Sequence, residues 1–348
     1  MKYKSLELDN ATFTQTDEHI EIKNSEDILI PKKLYKYYSI KNHSTKSLIN
    51  STLYFSHAHL LNDVMDGNFM LWNIDNFVNN FIKERQGIDK REDVVNEIKG
   101  FTEKFLKNRG VLSLSDNYKN ELIWVHYTNE QGYCVELDTD NLLNTLKKNR
   151  QEKDLLFFPV SYNNLKQIDF ADYITKKQIP SKYENTKRLE VNANLPILYC
   201  FAQKDKFWAY EKEWRLLIND KNFKSIEFPL SIIDDAAKKK ENENKVSGNV
   251  NIGQNAINKI ILAPLFFNND RFNKSSIDGK TTRFHFKKNE SERFIKEFLQ
   301  TLKSNFNDKI YQVEKFVVDK RITRDIKYKI QIVKIDEYFV DIIKSDIN

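Results

Sequence analysis

The stretch WAYEKEWRLLI, Trp208–Ile218, concentrates side chains that could do chemistry. Read as a strand, it puts Glu211, Glu213 and Arg215 on one face and Lys212, Trp214 and Leu216 on the other. Two carboxylates two residues apart on one face repel each other, so their presence needs a reason. One reason is a paired-carboxylate site, in which one glutamate stabilises a developing cation or takes a proton and the other orients the incoming group. Trp208, Tyr210 and Trp214 would then wall a partly enclosed site. The other reason is a solvent-facing strand edge on which Arg215 neutralises its neighbours.

Other candidates are weaker alone. In Leu112–Ser115, LSLS, the hydroxyls of Ser113 and Ser115 share one face. Such a pair can hydrogen-bond a ribose or steady a carboxylate, and it is also what a half-buried strand shows. The run HAHLLNDVMDG holds His57, His59, Asn62, Asp63 and Asp66 without a metal-binding framework such as His-Glu-x-x-His, so no metal site is read there. Asn62-Asp63 reads as a turn or helix cap. WVHYTNEQGYCVEL carries His126, Tyr127 and Gly132, and there is no Gly-rich phosphate loop. Cys134 sits in an apolar run and reads as a small core residue.

The elements that must position these groups form an α+β pattern. Residues 1–30 are polar and read as an N-terminal extension. A core is expected over 31–265. KLYKYYSI is a strand, Phe69 to about Asn108 is helical, and GVLSLSDN, YCVEL, LLFFPVSY and INKIILAP are strands. Lys238–Ala256 is the most loop-like segment. Residues 266–348 form a C-terminal α/β extension with a helix at SERFIKEFLQTLKSNF and a long alternating strand at IKYKIQIVKIDEYF. Strands and helices intersperse without regular βαβ spacing.

Composition narrows the setting. The 348 residues are 40% hydrophobic and 13% aromatic, enough for a sizeable core and against intrinsic disorder. The net charge of +6 is spread among acidic residues, so nucleic-acid contact is permitted and not indicated. Two separated cysteines and no apolar run of signal-peptide or membrane-span length point to a cytoplasmic protein without membrane contact. The oligomeric state is not legible.

Taken in order, LYKYYS, LYFSHAHLLNDVMDG, GVLSLSDN, IWVHYTNEQGYCVELD, VSY, KDKFWAYEKEWRLLI and INKIILAP resemble a bacterial domain-of-unknown-function family, number 2971, over about residues 33–265. The motif order is in turn similar to the ADP-ribosyltransferase superfamily. That resemblance implies a split β-sheet core with flanking helices and NAD as substrate. It implies Glu213 as catalytic carboxylate and Glu211 as the group orienting acceptor or water. Tyr35, Lys36, Tyr37, Ser113, Ser115, Tyr127 and Arg215 would bind the dinucleotide, with Arg215 also holding the glutamates in place. Lys36 stands where the superfamily carries Arg or His. ADP-ribose would pass to a protein or nucleic-acid acceptor, or NAD would be hydrolysed, in bacterial anti-phage defence or toxin action. Two alternatives stay open. One is a metal-dependent nuclease effector using Asp63, Asp66, Glu211 and Glu213. The other is a non-enzymatic partner-binding module.

Overall fold

The computed structural model describes residues 3–17, 19–57, 61, 65–84, 90–106, 108–148, 150–180, 187–220, 223, 248–288, 292–318 and 321–347. Its architecture is α+β, built on one large mixed sheet. Among the described residues that sheet has twelve strands. Along the hydrogen-bonded path they run Leu155–Pro159, Glu213–Asn219, Arg109–Ser115, Lys33–Tyr38, Tyr133–Asp138, Ile257–Leu262, Ile310–Val318, Arg321–Ile335, Phe339–Asp346, Thr281–Phe286 and Phe272–Ser276. Ser56–His57 pairs with the Arg109 strand off this path. Neighbours are antiparallel except Ile257–Leu262 with Ile310–Val318.

The sheet is tight on either side of one seam. The Glu213 and Arg109 strands share seven residue pairs, from Glu213↔Ser115 to Asn219↔Arg109. The Lys33 and Tyr133 strands share six. Between the Lys33 and Arg109 strands there is a single pair, Tyr35↔Ser115. The ladder between these two strands opens beyond that point, and among the described residues the Arg109 strand is met again on that side only at Val111 and Gly110, by Ser56–His57.

Alternation along the strands sorts side chains into two main cores and a smaller third cluster around Tyr35, Tyr37, Trp124 and Cys134. Leu112, Leu114, Trp214, Leu216 and Ile218 face one cluster, together with Leu34 and Leu137. Val111 and Leu217 face the other, which is packed by helices Asp75–Glu84, Arg91–Leu106 and Asn194–Ala202. These helices bury residues at three- and four-residue spacing, such as Val94, Ile98, Thr102 and Phe105. Asn194–Ala202 is buried all round, which is why its sequence lacks an amphipathic signal. Gly132 links helix Glu121–Thr128 to the Tyr133 strand, and a Cβ there would lie 2.1 Å from the Tyr38 carbonyl oxygen. A glycine is required by that approach.

Three segments add to the sequence reading. The polar N-terminus is an antiparallel sheet, Lys4–Glu7, Ala11–Gln15 and Ile20–Asn24, that inserts Leu6, Phe13 and Ile20 into the second core. Residues beyond 265 continue the main sheet edge to edge, and helix Glu292–Asn305 buries Phe298, Leu299 and Leu302 in the first core. Of the loop expected at 238–256, residues up to 247 lie outside the described residues. Asn249–Asn251 is a short strand.

Candidate functional site

The Trp208–Ile218 stretch is not one strand. Lys206–Glu211 is a 3-10 turn whose start is capped by Asp205, its carboxylate accepting from the Phe207 N–H at 2.9 Å. Lys212 ends the turn in the left-handed region, φ 45°, and the strand begins at Glu213. This corrects the alternation over residues 208–212. Glu211 and Glu213 lie on different elements, and Glu211 is not a strand neighbour of Arg215. Trp214 points into the main core against Phe157, and Trp208 alone of the three aromatics lines the site.

The like charges are reconciled by a residue the sequence reading missed. Lys204, on the short strand Gln203–Asp205, donates to Glu211 Oε2 at 2.7 Å and approaches Glu213 Oε2 at 2.9 Å. Asp66 Oδ2 is 3.8 Å away. Arg215 completes the cluster. Its Nε donates to Glu213 Oε1 at 2.6 Å, its Nη2 to Asp66 Oδ1 at 2.7 Å, and its Nη1 to the Phe201 carbonyl at 2.7 Å. That carbonyl belongs to the last turn of helix Asn194–Ala202, where the helix dipole favours a cation. Two cations and three carboxylates thus interleave, all of them buried.

The electrostatics follow from this network. Burial alone would push Glu213 up, but Arg215 and Lys204, with hydrogen bonds from Arg215 and Ser113, hold it well below the usual carboxylate range. Burial pushes Asp66 up, and its share of Arg215 and Lys204 does not outweigh that. Burial would lower Lys204, yet Glu213, Asp66 and Glu211 raise it above the ordinary lysine value. Lys36 moves down, because burial outweighs Glu213 and Glu211.

The cluster borders a cavity of about 180 Å³ at the seam of the sheet. Tyr35, Lys36 and Tyr37 reach it from one strand, Ser113 and Ser115 from the next, and Glu213 from the third, with Tyr127 and Glu211 alongside. Lys36 Nζ donates to the Ser113 carbonyl at 2.9 Å. Ser115 Oγ donates to the Glu211 carbonyl at 2.6 Å, tying the 3-10 turn to the sheet. Tyr127 donates to Glu211 Oε1 at 2.7 Å. Tyr37 donates to the Asn117 carbonyl at 2.8 Å and Tyr35 to Glu136 at 3.3 Å, so neither hydroxyl is engaged by Glu211 or Glu213. Tyr162, unread in the sequence, accepts from the Glu213 N–H at 2.7 Å.

Arg215 does not line the cavity. Its side chain is 0% exposed, and its role is to hold Glu213 and Asp66 from behind. The signal for Lys204 was electrostatic: two buried glutamates require a cation, and the block KDKFWAYEKEW begins with one. His57 is buried on its short strand, where burial pushes it down to about 4 and keeps it neutral. His59, Asn62 and Asp63 lie outside the described residues. Among the described residues no three His, Cys, Asp or Glu side chains form a set suited to a metal ion. Asp66, Glu211 and Glu213 are instead engaged by Lys204 and Arg215. Cys134 and Cys200 are free and buried.

The C-terminal strands clamp the helix that carries Tyr127. Arg324, 1% exposed, donates to Glu121 at 3.0 Å and to Glu130, the two flanks of Glu121–Thr128. Asp325 accepts from Tyr118 and from Lys119.

Fold and site together define a class: an α+β protein with a buried, charge-balanced cluster at an opened sheet seam. Residues 123–216 match the family described as Protein of unknown function (DUF2971), so the resemblance to that family holds for this segment. The match begins in helix Glu121–Thr128 and ends in the Glu213 strand. It therefore includes Tyr127, Lys204, Glu211, Glu213 and Arg215, and it leaves out Tyr35–Tyr37, Asp66, Ser113 and Ser115. No curated protein and no solved structure matches the chain. No helix among the described residues is long and apolar enough to cross a membrane.

Proposed function

We propose that the cavity at the seam binds NAD on an ADP-ribosyltransferase-like core and cleaves the nicotinamide–ribose bond, passing ADP-ribose to an acceptor or to water. One observation carries this reading. Three motifs as distant in sequence as Tyr35–Tyr37, Ser113–Ser115 and Glu211–Glu213 meet at one cavity, on adjacent strands, where the sheet parts.

In this reading the C1′–N bond breaks and its electron pair leaves with nicotinamide. Positive charge grows on the ribose, and the ionised Glu213 stabilises it. The acceptor atom, oriented by Glu211, forms the new bond to C1′ and passes its proton to the Glu211 carboxylate. Ser113 and Ser115 sit beside the carboxylates as ribose hydrogen-bonding groups. Lys36 serves a phosphate as a point charge, without the planar fork of arginine. The rings of Tyr37 and Tyr127 are surfaces for nicotinamide. Whole-ligand pockets usually run to about 300–1,000 Å³. A cavity of about 180 Å³ suits the nicotinamide–ribose end, and leaves the adenosine end outside it.

The test is incubation of the purified chain with labelled NAD, with and without EDTA, following nicotinamide release and label on protein or nucleic acid. Release that persists in EDTA and disappears in Glu213→Gln supports the reading. No turnover of NAD under any condition overturns it, and metal-dependent cleavage of nucleic acid would put a nuclease in its place. A biological effect that survives Glu213→Gln would favour a partner-binding module. The defence or toxin role follows from the resemblance alone. Expression of the wild-type chain in a bacterium would then lower cellular NAD and arrest growth, and expression of Glu213→Gln would not.

A further inference from the structure

A second cleft lies on the same face of the sheet, at the other end of the strand Arg109–Ser115. It measures about 420 Å³, larger than the seam cavity and within the size range of small-molecule sites. Helix Arg91–Leu106, the hairpin strand Thr175–Pro180, the start of helix Asn194–Ala202 and the turn after Gln15 enclose it. Its charge is unbalanced. Lys104, Arg109, Lys176 and Lys177 line it against one carboxylate among the described residues, Asp17.

Of these four cations, Lys176 is engaged by Glu84 at 2.9 Å. Lys104, Arg109 and Lys177 make no ion pair with any described residue. Arg109 is held rigidly for a group in this state. Its guanidinium lies 3.8 Å from the centroid of the Phe105 ring, and Nη1 donates to the Phe105 carbonyl at 2.9 Å. A stacked, half-buried guanidinium has lost much of its hydration, and the charge of Asp154 offsets only part of that loss. Phe101 and Phe105 give the cleft an apolar wall, and Thr16, Thr175 and Asn192 supply neutral polar groups. The N-terminal end of helix Asn194–Ala202 adds positive potential to the same space.

We propose that this cleft binds a small phosphorylated molecule, its phosphate held by Arg109, Lys104 and Lys177 and its apolar body lying against Phe101. Arginine and lysine converging on a concave space match a phosphate's charge and its acceptors. The concave shape and the aromatic wall favour a nucleotide-sized ligand over the phosphate track of a polymer. This site is separate from the seam cavity, and it stands whether or not the seam cavity binds NAD.

Calorimetric titration of the full chain with inorganic pyrophosphate and with ATP tests the proposal. Wild-type protein should show one saturable site for at least one probe, tighter for ATP if Phe101 contributes. Lys104→Glu combined with Lys177→Glu, both at exposed positions, should weaken binding tenfold or more, as should Arg109→Gln. Glu213→Gln should leave it unchanged. Circular dichroism of each variant shows that the fold is retained. If neither probe binds saturably, the proposal fails. It fails equally if binding survives the double lysine substitution and is altered by Glu213→Gln, since the ligand would then occupy the seam cavity.

Discussion

The seam cavity and the second cleft sit at the two ends of one strand, yet they handle charge in opposite ways. At the seam the five charges of the cluster partner one another: Lys204 lies between the two glutamates, Arg215 between Glu213 and Asp66. Lys204 and Arg215 are raised by their carboxylates, while burial lowers Lys36. In the second cleft burial pushes Arg109 down to about 10, with Asp154 offsetting part of that. An arginine stays protonated at neutral pH all the same. One site has organised its charges at folding and spends them on holding geometry. The other keeps cations uncompensated, which costs stability and leaves attraction for an outside anion. Helix Asn194–Ala202 joins the two, beginning at the second cleft and ending at the carbonyl that receives Arg215. Preorganisation and unsatisfied charge are thus different signatures, and the comparison can be broken by substitution.

The largest effect should come from Arg215→Leu. Removing one partner of a buried ion pair leaves Glu213 and Asp66 uncompensated and should cost about 3–5 kcal/mol in urea unfolding. A loss below 1 kcal/mol would mean that the cluster is far more hydrated than its burial implies. Next, Glu213→Gln should lower NAD turnover by about 10²–10³-fold, the scale of removing one electrostatic stabiliser from a transition state. Single-turnover nicotinamide release measures it.

Acid stability should track the same residue. The folded-state pKa of Glu213 lies below its unfolded value, so between the two values the unfolded chain binds more protons. Its contribution is complete above the ordinary value of 4.5 and is lost as pH falls below it. Urea midpoints from neutrality down to pH 3 should fall steeply for wild type and less steeply for Glu213→Gln. Lys204 runs the other way. Its stabilisation is present below the ordinary lysine value of 10.5 and is lost as pH rises through its raised folded value.

Tyr127→Phe removes one hydrogen bond to a carboxylate that Lys204 still holds, and should cost about 1 kcal/mol by the same unfolding assay. The smallest effect belongs to Lys104→Glu with Lys177→Glu. These exposed lysines have no ion-pair partner among the described residues, so stability should move by no more than about 0.5 kcal/mol per site. A large destabilisation there would erase the contrast between the two regions.

Much of the architecture was legible because it is written in local pattern. The alternation of GVLSLS, the spacing of apolar residues in 91–106, and the Ile–Lys alternation at 328–335 each report which face is buried. The stretch Trp208–Ile218 was misread at its start for a local reason as well. Asp205 caps a turn and Lys212 takes a left-handed conformation, and neither leaves a periodic trace. The N-terminal sheet was hidden because its strands are short and mostly polar, with only a few buried anchors such as Leu6 and Phe13.

Within the site, residue type made Glu211, Glu213, Ser113 and Ser115 visible, since two like charges and two hydroxyls on alternating positions ask for an explanation. Lys204 and Tyr162 carry no such mark, and Asp66 was legible only as a carboxylate of the nuclease alternative. They become partners of Glu213 through a parallel pairing of Ser161–Asn163 with Gln203–Asp205, and through Arg215 reaching Asp66 across 149 positions of chain. Chain order and composition settled which side chains were available and which faces they would occupy. Which charges meet, and that Arg215 would hold Asp66 as well as Glu213 without lining the cavity, depended on long-range pairing and burial. Coulomb energy is set by distance and local dielectric, and both exist only once the sheet has closed around its seam.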